Sequence, residues 1–253
     1  MQAVILVGGY GTRIGEETLL KPKPMIEIGE HPILWHIMKL YSYYGVHDFI
    51  LCLGYKGHII RDYFLNYQRR SDDLELDVAA GTYKVLTKRA EPWKVTLVDT
   101  GTNTLTGGRI RRIEPYLKGD TFCLTYGDGV GNINIKELIA FHEQQQKEAT
   151  VTAVQAAGRF GSLELEGEGV KLFGEKQETW INGGFFVLTR SIFRLLANDQ
   201  DIWERRPLET LAEEGQLAAY KHEGFWHPMD TVSDRHTLNN LWKGDAPWAV
   251  WQK

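Results

Sequence analysis

The chain has 253 residues, of which 43% are hydrophobic and 25% charged, and its formal net charge at pH 7 is -4. This length and composition are typical of a globular protein with a sizeable core. The acidic balance argues against a nucleic-acid partner, and no apolar run approaches the ~20 residues of a membrane-spanning helix, so a membrane role is also excluded.

The cysteines and the first residues indicate a cytoplasmic protein. Cys52 and Cys123 lie in apolar, strand-like runs, so we predict reduced core residues rather than a disulfide or a metal pair. The segment Met1–Val4 has neither the basic region nor the cleavage site of a signal peptide.

Short apolar runs alternate with helix-length periodic segments along the chain. Strands are predicted at Ala3–Val7, Phe49–Leu53, Lys94–Asp99, Thr121–Tyr126 and Thr150–Gln155. Helices are predicted at His31–Tyr44, Gly57–Arg70, Thr106–Leu117 and Ile135–Gln146. This alternation predicts an α/β fold with a Rossmann-like, three-layer arrangement around a mixed, mostly parallel sheet.

Two segments interrupt the alternation. Leu74–Arg89 and Ser162–Lys176 each have alternating runs around a glycine-containing turn, which predicts two inserted β-hairpins. No linker, low-complexity stretch or internal repeat is found, so residues 1–253 are predicted to form one domain. The arginines of the third predicted helix, Arg109, Arg111 and Arg112, are expected on a solvated face.

A glycine-rich segment, LVGGYGTRIGEETLLKPKPM, follows the first predicted strand. Such a turn after a strand is how α/β folds bind phosphate groups through backbone N–H groups. The dinucleotide pattern G-x-G-x-x-G is incomplete, because Ile14 stands where the third glycine is required, and the Walker ending Gly-Lys-Ser/Thr is absent. Arg13, Lys21 and Lys23 add fixed cations, which favours a triphosphate; a surface turn with solvated lysines is the alternative.

The same segment, extended through Gly29, resembles the signature of sugar-1-phosphate nucleotidyltransferases, in which a Gly-Gly-x-Gly-Thr-Arg loop precedes a Lys-Pro segment. Further stretches match this family in the same order: EPWKVTLVDTG, TGGRIRRI, TYGDGV, GRFGSLELE, WINGGFFVL, GFWHPMDT and APWAVW. The similarity covers nearly the whole chain and is greatest for the branch that uses CTP and glucose 1-phosphate.

The resemblance implies transfer of a cytidylyl group from CTP to α-D-glucose 1-phosphate, giving CDP-glucose and pyrophosphate, for polysaccharide biosynthesis. The attacking phosphate is largely dianionic at neutral pH, because its second pKa lies near ~6, and needs no activation by a side chain. Positioning and charge neutralisation are required instead, from fixed cations and from Mg²⁺. The resemblance further implies a trimer-based homo-oligomer, up to a hexamer.

On the nucleotide side, the resemblance implies contacts from the glycine-rich loop and the TGGR stretch: Gly8, Gly9, Gly11, Thr12, Arg13, Lys23, Thr106 and Gly107. Arg13 and Lys23 would be catalytic, drawing charge from the triphosphate and the developing pyrophosphate. The resemblance assigns Asp128 and Asp230 to the metal; each follows a strand and offers hard oxygen ligands. A turn aspartate and a helix N-cap are their respective structural alternatives.

On the sugar side, the resemblance implies contacts from Gly161, Glu175, Lys176, Asn182 and Gly183. In the family, the lysine faces the sugar phosphate and the acid beside it faces the sugar hydroxyls. Here the chain departs from its relatives: Gln177 replaces a proline and the connection to Ile181 is shorter. A different sugar 1-phosphate therefore stays open.

Two other functions stay open from the residues. A sister enzyme would use UTP or dTTP, because the residues near the base do not by themselves specify cytosine. A non-catalytic sensor of nucleotide sugars would share the fold, although such proteins often lose the charged residues that this chain retains: Arg13, Lys23, Asp128, Lys176 and Asp230.

Overall fold

The computed structural model describes residues 1–156, 161–166, 169–175 and 179–252, and for residues 13, 16, 17, 156, 161–166 and 169–175 it describes the backbone alone. The strands are β1 (Gln2–Leu6), β2 (Glu27–Ile28), β3 (His31–Pro32), β4 (Asp48–Leu53), β5 (Leu74–Asp77), β6 (Thr82–Val85), β7 (Lys94–Asp99), β8 (Thr121–Tyr126), β9 (Gly129–Gly131), β10 (Ala149–Ala156), β11 (Gly161–Glu166), β12 (Gly169–Glu175), β13 (Thr179–Thr189), β14 (Leu217–His222) and β15 (Trp226–Pro228). The α-helices are α1 (Ile33–Tyr43), α2 (Gly57–Leu65), α3 (Tyr67–Ser71), α4 (Thr106–Arg112), α5 (Ile135–Gln145), α6 (Arg206–Glu213) and α7 (Val232–Trp242).

Seven strands form one sheet in the order β14-β10-β13-β8-β1-β4-β7. β1 pairs in parallel with β4 and with β8, while β13 is antiparallel to both β8 and β10. The predicted α/β fold with a mostly parallel mixed sheet is confirmed. The inserted hairpins are present as the pairs β5–β6 and β11–β12.

The central strand β1 is buried on both faces. Ala3, Ile5 and Val7 pack into one hydrophobic cluster, while Val4 and Leu6 pack into a second cluster. Successive side chains of a strand point to opposite faces, so a strand covered on both sides is a continuous apolar run. This is why its sequence shows no polar alternation.

Three predicted helices end or begin elsewhere, and each difference has a local cause. The helix predicted from His31 begins at Ile33, because Pro32 is extended, with φ -61° and ψ 150°. The helix predicted over Gly57–Arg70 is interrupted at Asn66, whose side-chain amide donates to the carbonyl of Asp62 at 2.9 Å.

The third difference follows α4, which ends at Arg112 although the pattern predicts a helix to Leu117. Pro115 has no N–H to donate, and the chain continues as a short 3-10 turn, Glu114–Tyr116. None of the helices in the described part of the chain combines the length and the hydropathy that crossing a membrane would require.

Candidate active site

A cavity of about 400 Å³ opens at the carboxyl end of the central strands. Ligands of α/β sheets bind at this edge, where the loops after neighbouring strands meet. One wall is the glycine-rich loop after β1, and the opposite wall leads from β7 into α4. Of the residues predicted to contact the nucleotide, those lining the cavity are Gly8, Gly9, Gly11, Thr12, Lys23 and Thr106.

Two glycines of this loop are required by close approaches. A Cβ atom on Gly8 would lie 2.2 Å from Nη1 of Arg109, and one on Gly11 would lie 2.9 Å from the Cβ of Lys23. Gly11 also has a φ of +65°, in the left-handed region that favours glycine. The spacing of the glycines therefore matches the two cationic side chains that pack beneath the loop.

Lys23 lines the cavity with its ammonium between two carboxylates. Its Nζ lies 2.7 Å from Oδ2 of Asp128 and 2.7 Å from Oδ1 of Asp230, and its side chain is 8% exposed. Pro22 is extended before Lys23, and Pro24 lies in the 3-10 turn that Lys23 begins. Because each proline restricts the backbone, the KPKPM segment holds this lysine in a defined position.

A short ladder brings the two aspartates together. β9 pairs with β15, so that Gly129 lies opposite Pro228, and the amide of Met229 donates to the carbonyl of Asp128 at 2.8 Å. Asp128 immediately precedes β9, and Asp230 follows β15 by one residue. The ladder therefore fixes both aspartates at one end of the sheet.

The N-cap alternative for Asp230 is resolved by the next residue. Thr231 caps α7: its hydroxyl accepts from the amide of Asp234, and the Asp234 carboxylate accepts from the amide of Thr231. Because this capping box serves the helix terminus, the carboxylate of Asp230 is available to Lys23.

The donor set at Lys23 fits a hard divalent cation. Two carboxylates already surround one positive charge, and Mg²⁺ typically binds one or two protein carboxylates together with phosphate oxygens. Within the described ranges, no group of three or more His, Cys, Asp or Glu side chains is arranged around a point. The closed cage of a structural zinc site is therefore not found in that part of the chain.

A second, much smaller cavity of about 40 Å³ adjoins the first. Asn182 and Gly183 of β13 and Trp226 of β15 line it, and the indole N–H of Trp226 donates to the carbonyl of Gly183 at 2.8 Å. Tyr126 and Asp128 line both cavities. Ligands in the two cavities would therefore meet beside Asp128.

Comparison with known proteins identifies the family. The family model described as nucleotidyl transferase matches residues 2–234. The chain belongs to the nucleotidyl transferase family. The glucose-1-phosphate cytidylyltransferase of Salmonella typhi is 52% identical over 100% of both chains. The probable glucose-1-phosphate cytidylyltransferase of Bacillus subtilis (strain 168) is 47% identical over 99% of this chain and 100% of its own.

The fold of this nucleotidyltransferase also matches solved structures. The crystal structure of HddC from Yersinia pseudotuberculosis superposes with a TM-score of 0.72 at 23% identity, covering 95% of this chain and 99% of that one. At this level of identity the likeness shows the fold alone.

The prediction of a solvated basic face is wrong for one arginine of the nucleotidyltransferase. Arg109 is 4% exposed, whereas Arg111 and Arg112 are exposed as predicted. The Arg109 guanidinium donates at 2.8–3.3 Å to the hydroxyl of Thr100 and to the carbonyls of Gly8, Leu53, Gly101 and Thr102.

The buried guanidinium supports both walls of the larger cavity, which it also lines. Burial lowers the pKa of Arg109, but arginine keeps its charge in proteins, and all five of these acceptors are neutral. The site therefore carries a fixed positive charge beneath the nucleotide cavity. Gly107 and Gly108 let α4 approach Asp201 and Asp199, which is a different contact, so they do not signal the burial of Arg109.

Gly107 itself differs from the other predicted nucleotide residues, because it is not among those that line the cavity. Its N–H donates to the carbonyl of Asp201 at 2.9 Å, and a Cβ atom on it would lie 2.8 Å from the same oxygen. Its visible role is to let the start of α4 pack against the segment that contains Asp201.

The predicted sugar-side residues lie partly in the second hairpin. Gly161 and Glu175 form a backbone pair at its open end. The side chains of Arg13 and Glu175, and Lys176 as a whole, lie outside the described residues.

Proposed function

We propose that this nucleotidyltransferase transfers the cytidylyl group of CTP to α-D-glucose 1-phosphate, forming CDP-glucose and releasing pyrophosphate. The structural observation that carries the proposal is the ammonium of Lys23 between Asp128 and Asp230, where two cavities meet. The choice of base and sugar is supported by 52% identity over both full chains to a relative whose name states them.

CTP occupies the larger cavity in this proposal. Its triphosphate lies along the glycine-rich loop, at residues 8–12, with Arg13 and Lys23 as the catalytic cations. Thr106 and Gly107 of α4 are assigned to the nucleotide side, and Arg109 holds the loop and the opposite wall together. Fixed cations lower the barrier by stabilising the charge that develops on the phosphates. The ammonium of Lys23 can do so once another cation occupies its two carboxylates.

Asp128 and Asp230 would hold the metal. Nucleotidyltransferases generally use a divalent metal, and two carboxylates without sulfur or nitrogen ligands favour Mg²⁺. When bound, the metal neutralises and orients phosphate oxygens of the nucleotide. The protein's own contribution is to fix both carboxylates through the β9–β15 ladder.

In the reaction, a phosphate oxygen of glucose 1-phosphate attacks the α-phosphorus of CTP, and the bond from this phosphorus to the oxygen bridging the β-phosphate breaks. No side chain has to remove a proton, because the attacking phosphate is dianionic. Asn182 and Gly183, with Gly161, Glu175 and Lys176 of the hairpin region, are assigned to orient the sugar phosphate. Catalysis is then mainly the alignment of two polyanions.

We further propose a single nucleotidyltransferase domain over residues 1–253, assembled as a trimer-based homo-oligomer in the cytoplasm. The family match over residues 2–234 supports the single domain. Cys52 and Cys123 are buried and free, as predicted, which is typical of a reducing compartment. CTP and glucose 1-phosphate are the proposed partners; neither nucleic acid nor a membrane has a part.

Pyrophosphate release tests the proposal directly. The protein is incubated with glucose 1-phosphate and Mg²⁺ and, in parallel, with CTP, UTP, dTTP, ATP or GTP; mannose 1-phosphate replaces glucose 1-phosphate in a matched series. We expect release with CTP and glucose 1-phosphate at least about tenfold above every other pair, since a buried polar site discriminates strongly against wrongly placed donors and acceptors.

Each other outcome has a defined meaning. Release with UTP or dTTP would overturn the base assignment and retain the chemistry. Release with mannose 1-phosphate alone would overturn the sugar assignment and point to the altered connection around Gln177. Nucleotide binding without any turnover would overturn the enzymatic proposal in favour of a sensor.

A further inference from the structure

The segment before α6 packs against the wall of the nucleotide cavity. The amide of Gly107 donates to the carbonyl of Asp201 at 2.9 Å, and the amide of Trp203 donates to the hydroxyl of Thr106 at 2.9 Å. Trp203 is fully buried, so this attachment is anchored in the core. The next residue, Glu204, is thereby held beside the start of α4.

The carboxylate of Glu204 joins two hydroxyl groups of the site. Its Oε2 accepts from the hydroxyl of Thr106 at 2.6 Å, and its Oε1 accepts from the hydroxyl of Tyr126 at 2.5 Å. Hydrogen bonds to an ionised carboxylate are short and stronger than those between neutral groups. Thr106 lines the nucleotide cavity, and Tyr126 lines both cavities, so one side chain connects the two.

Tyr126 has little freedom apart from this bond. A Cβ atom on Gly184 would lie 2.6 Å from Cδ2 of Tyr126, so the ring packs directly on the backbone of β13. The hydroxyl of Tyr126 is the donor in this bond, since an ionised carboxylate oxygen only accepts. The ring and the hydroxyl are therefore both fixed, beside Asp128.

We infer that Glu204 is a positioning residue that holds the hydroxyls of Thr106 and Tyr126 at a fixed separation. It thereby fixes the junction, formed by these two side chains, between the nucleotide and the sugar-phosphate cavities. Glu204 is itself exposed and does not line either cavity. Its effect is therefore exerted through the two hydroxyls rather than through contact with a substrate. The inference rests on the proposed function, because it assigns the two cavities to two substrates.

The test compares Glu204→Ala with Glu213→Ala, which removes an equally exposed carboxylate at the end of α6. We expect Glu204→Ala to lower kcat/KM about tenfold or more for both CTP and glucose 1-phosphate, since a charge-assisted acceptor is lost on each side. Glu213→Ala should stay within about twofold of the unmodified protein. Glu204→Gln, which keeps one acceptor oxygen, should recover part of the activity.

A double variant separates positioning from general stability. Tyr126→Phe removes the hydroxyl and keeps the ring. If Glu204 acts through this hydroxyl, adding Tyr126→Phe to Glu204→Ala should lower kcat/KM by less than about a further twofold. Thermal unfolding of each variant shows whether the protein is folded at the assay temperature. The inference would be overturned if the two substitutions lowered kcat/KM independently, so that their fold-changes multiply in the double variant. It would also be overturned if Glu204→Ala were as active as Glu213→Ala.

The activity of the unmodified protein distinguishes a failure of the proposed function from a failure of the inference about Glu204. If it releases no pyrophosphate with any substrate pair, the proposed function has failed, and the junction is then judged by calorimetric binding of CDP-glucose to the same variants. Binding that Glu204→Ala does not weaken would count against the junction itself.

Discussion

Replacing Lys23 by Met removes the charge between Asp128 and Asp230 and keeps an unbranched apolar stem. Two like charges ~5 Å apart interact with about 3 kcal/mol at an effective dielectric constant of about 20. Asp128 is 34% exposed and Asp230 17% exposed, so solvent reduces this repulsion. We expect the free energy of unfolding to fall by about 2 kcal/mol, or Tm to fall by roughly 4–8 °C.

A Mg²⁺ titration tests the same site through its affinity for a cation. A divalent cation that binds Asp128 and Asp230 competes with the ammonium of Lys23 for the same oxygens. Without that competitor, the two carboxylates should bind Mg²⁺ about tenfold more tightly, as measured by calorimetry, where tenfold corresponds to about 1.4 kcal/mol. Scanning calorimetry with EDTA and with Mg²⁺ should show a larger rise of Tm in the variant than in the unmodified protein.

Lys21→Met provides the matched control in the same KPKPM segment. Lys21 pairs with Glu27 at 3.2 Å on the surface, where such a pair contributes about 0–1 kcal/mol. If Lys23→Met loses no more stability than Lys21→Met, or if its Mg²⁺ affinity is unchanged or lower, the reasoning about the shared charge site is refuted.

Three further predictions concern Arg109, Asp128 and His36. Arg109→Lys keeps the charge but replaces a guanidinium with five hydrogen bonds by one ammonium. We expect about 3 kcal/mol less stability in a denaturant titration and about tenfold weaker CTP binding by calorimetry. Asp128→Asn should keep the circular dichroism spectrum and lower kcat about hundredfold or more in the pyrophosphate assay, because a neutral amide replaces a charged ligand. Burial lowers the pKa of His36 from 6.5 to about 4, so the unfolded chain takes up this proton first as pH falls. The contribution of His36 to the free energy of unfolding is therefore fully present above about pH 6.5. It falls by about 1.4 kcal/mol per pH unit down to about pH 4 and levels off about 3 kcal/mol lower. Denaturant titrations at about pH 7 and pH 4.5 measure this loss.

Matched variants decide these three outcomes. Arg111→Lys changes an exposed arginine of the same helix, and its free energy of unfolding should stay within about 0.5 kcal/mol of the unmodified protein. Equal losses of stability in Arg109→Lys and Arg111→Lys would contradict the anchoring role of Arg109. Unchanged turnover of Asp128→Asn would remove Asp128 from the metal site. His36 Nε2 donates to the carbonyl of Ile28 at 2.9 Å, so His36→Gln keeps a donor that does not titrate. If the free energy of unfolding of His36→Gln falls as steeply with decreasing pH, groups other than His36 cause the loss of stability.

The sequence predicts the elements whose signal is local. β7 and β8 have the predicted bounds, because each is an apolar run between loops. The helix boundaries differ where one side chain acts on the backbone, as Asn66 does through its bond to Asp62. Hydrophobic periodicity contains no information about such a bond, so the pattern continues where the helix does not.

The burial of Arg109 illustrates a different limit. Its neighbours Arg111 and Arg112 are exposed, and charge alone does not distinguish the three residues. Arg109 is buried because its five acceptors lie at the end of β4 and in the loops that follow β1 and β7, which only the assembled sheet brings together. Three acceptors lie within nine residues of Arg109, but Leu53 and Gly8 lie 56 and 101 residues away, so the local sequence does not reveal the full set of acceptors.

The charged centre shows what the fold adds to the motif. Lys23 is 105 residues from Asp128 and 207 residues from Asp230. Asp128 lies between β8 and β9, Asp230 follows β15, and Lys23 begins the 3-10 turn before β2. The sequence assigns the lysine to the triphosphate and the aspartates to the metal, as if the two roles were separate. The structure places all three charges in one contact, so the lysine can turn to the triphosphate only as a cation takes over its carboxylates. In the proposed reaction, metal binding and phosphate binding at Lys23 are therefore coupled events.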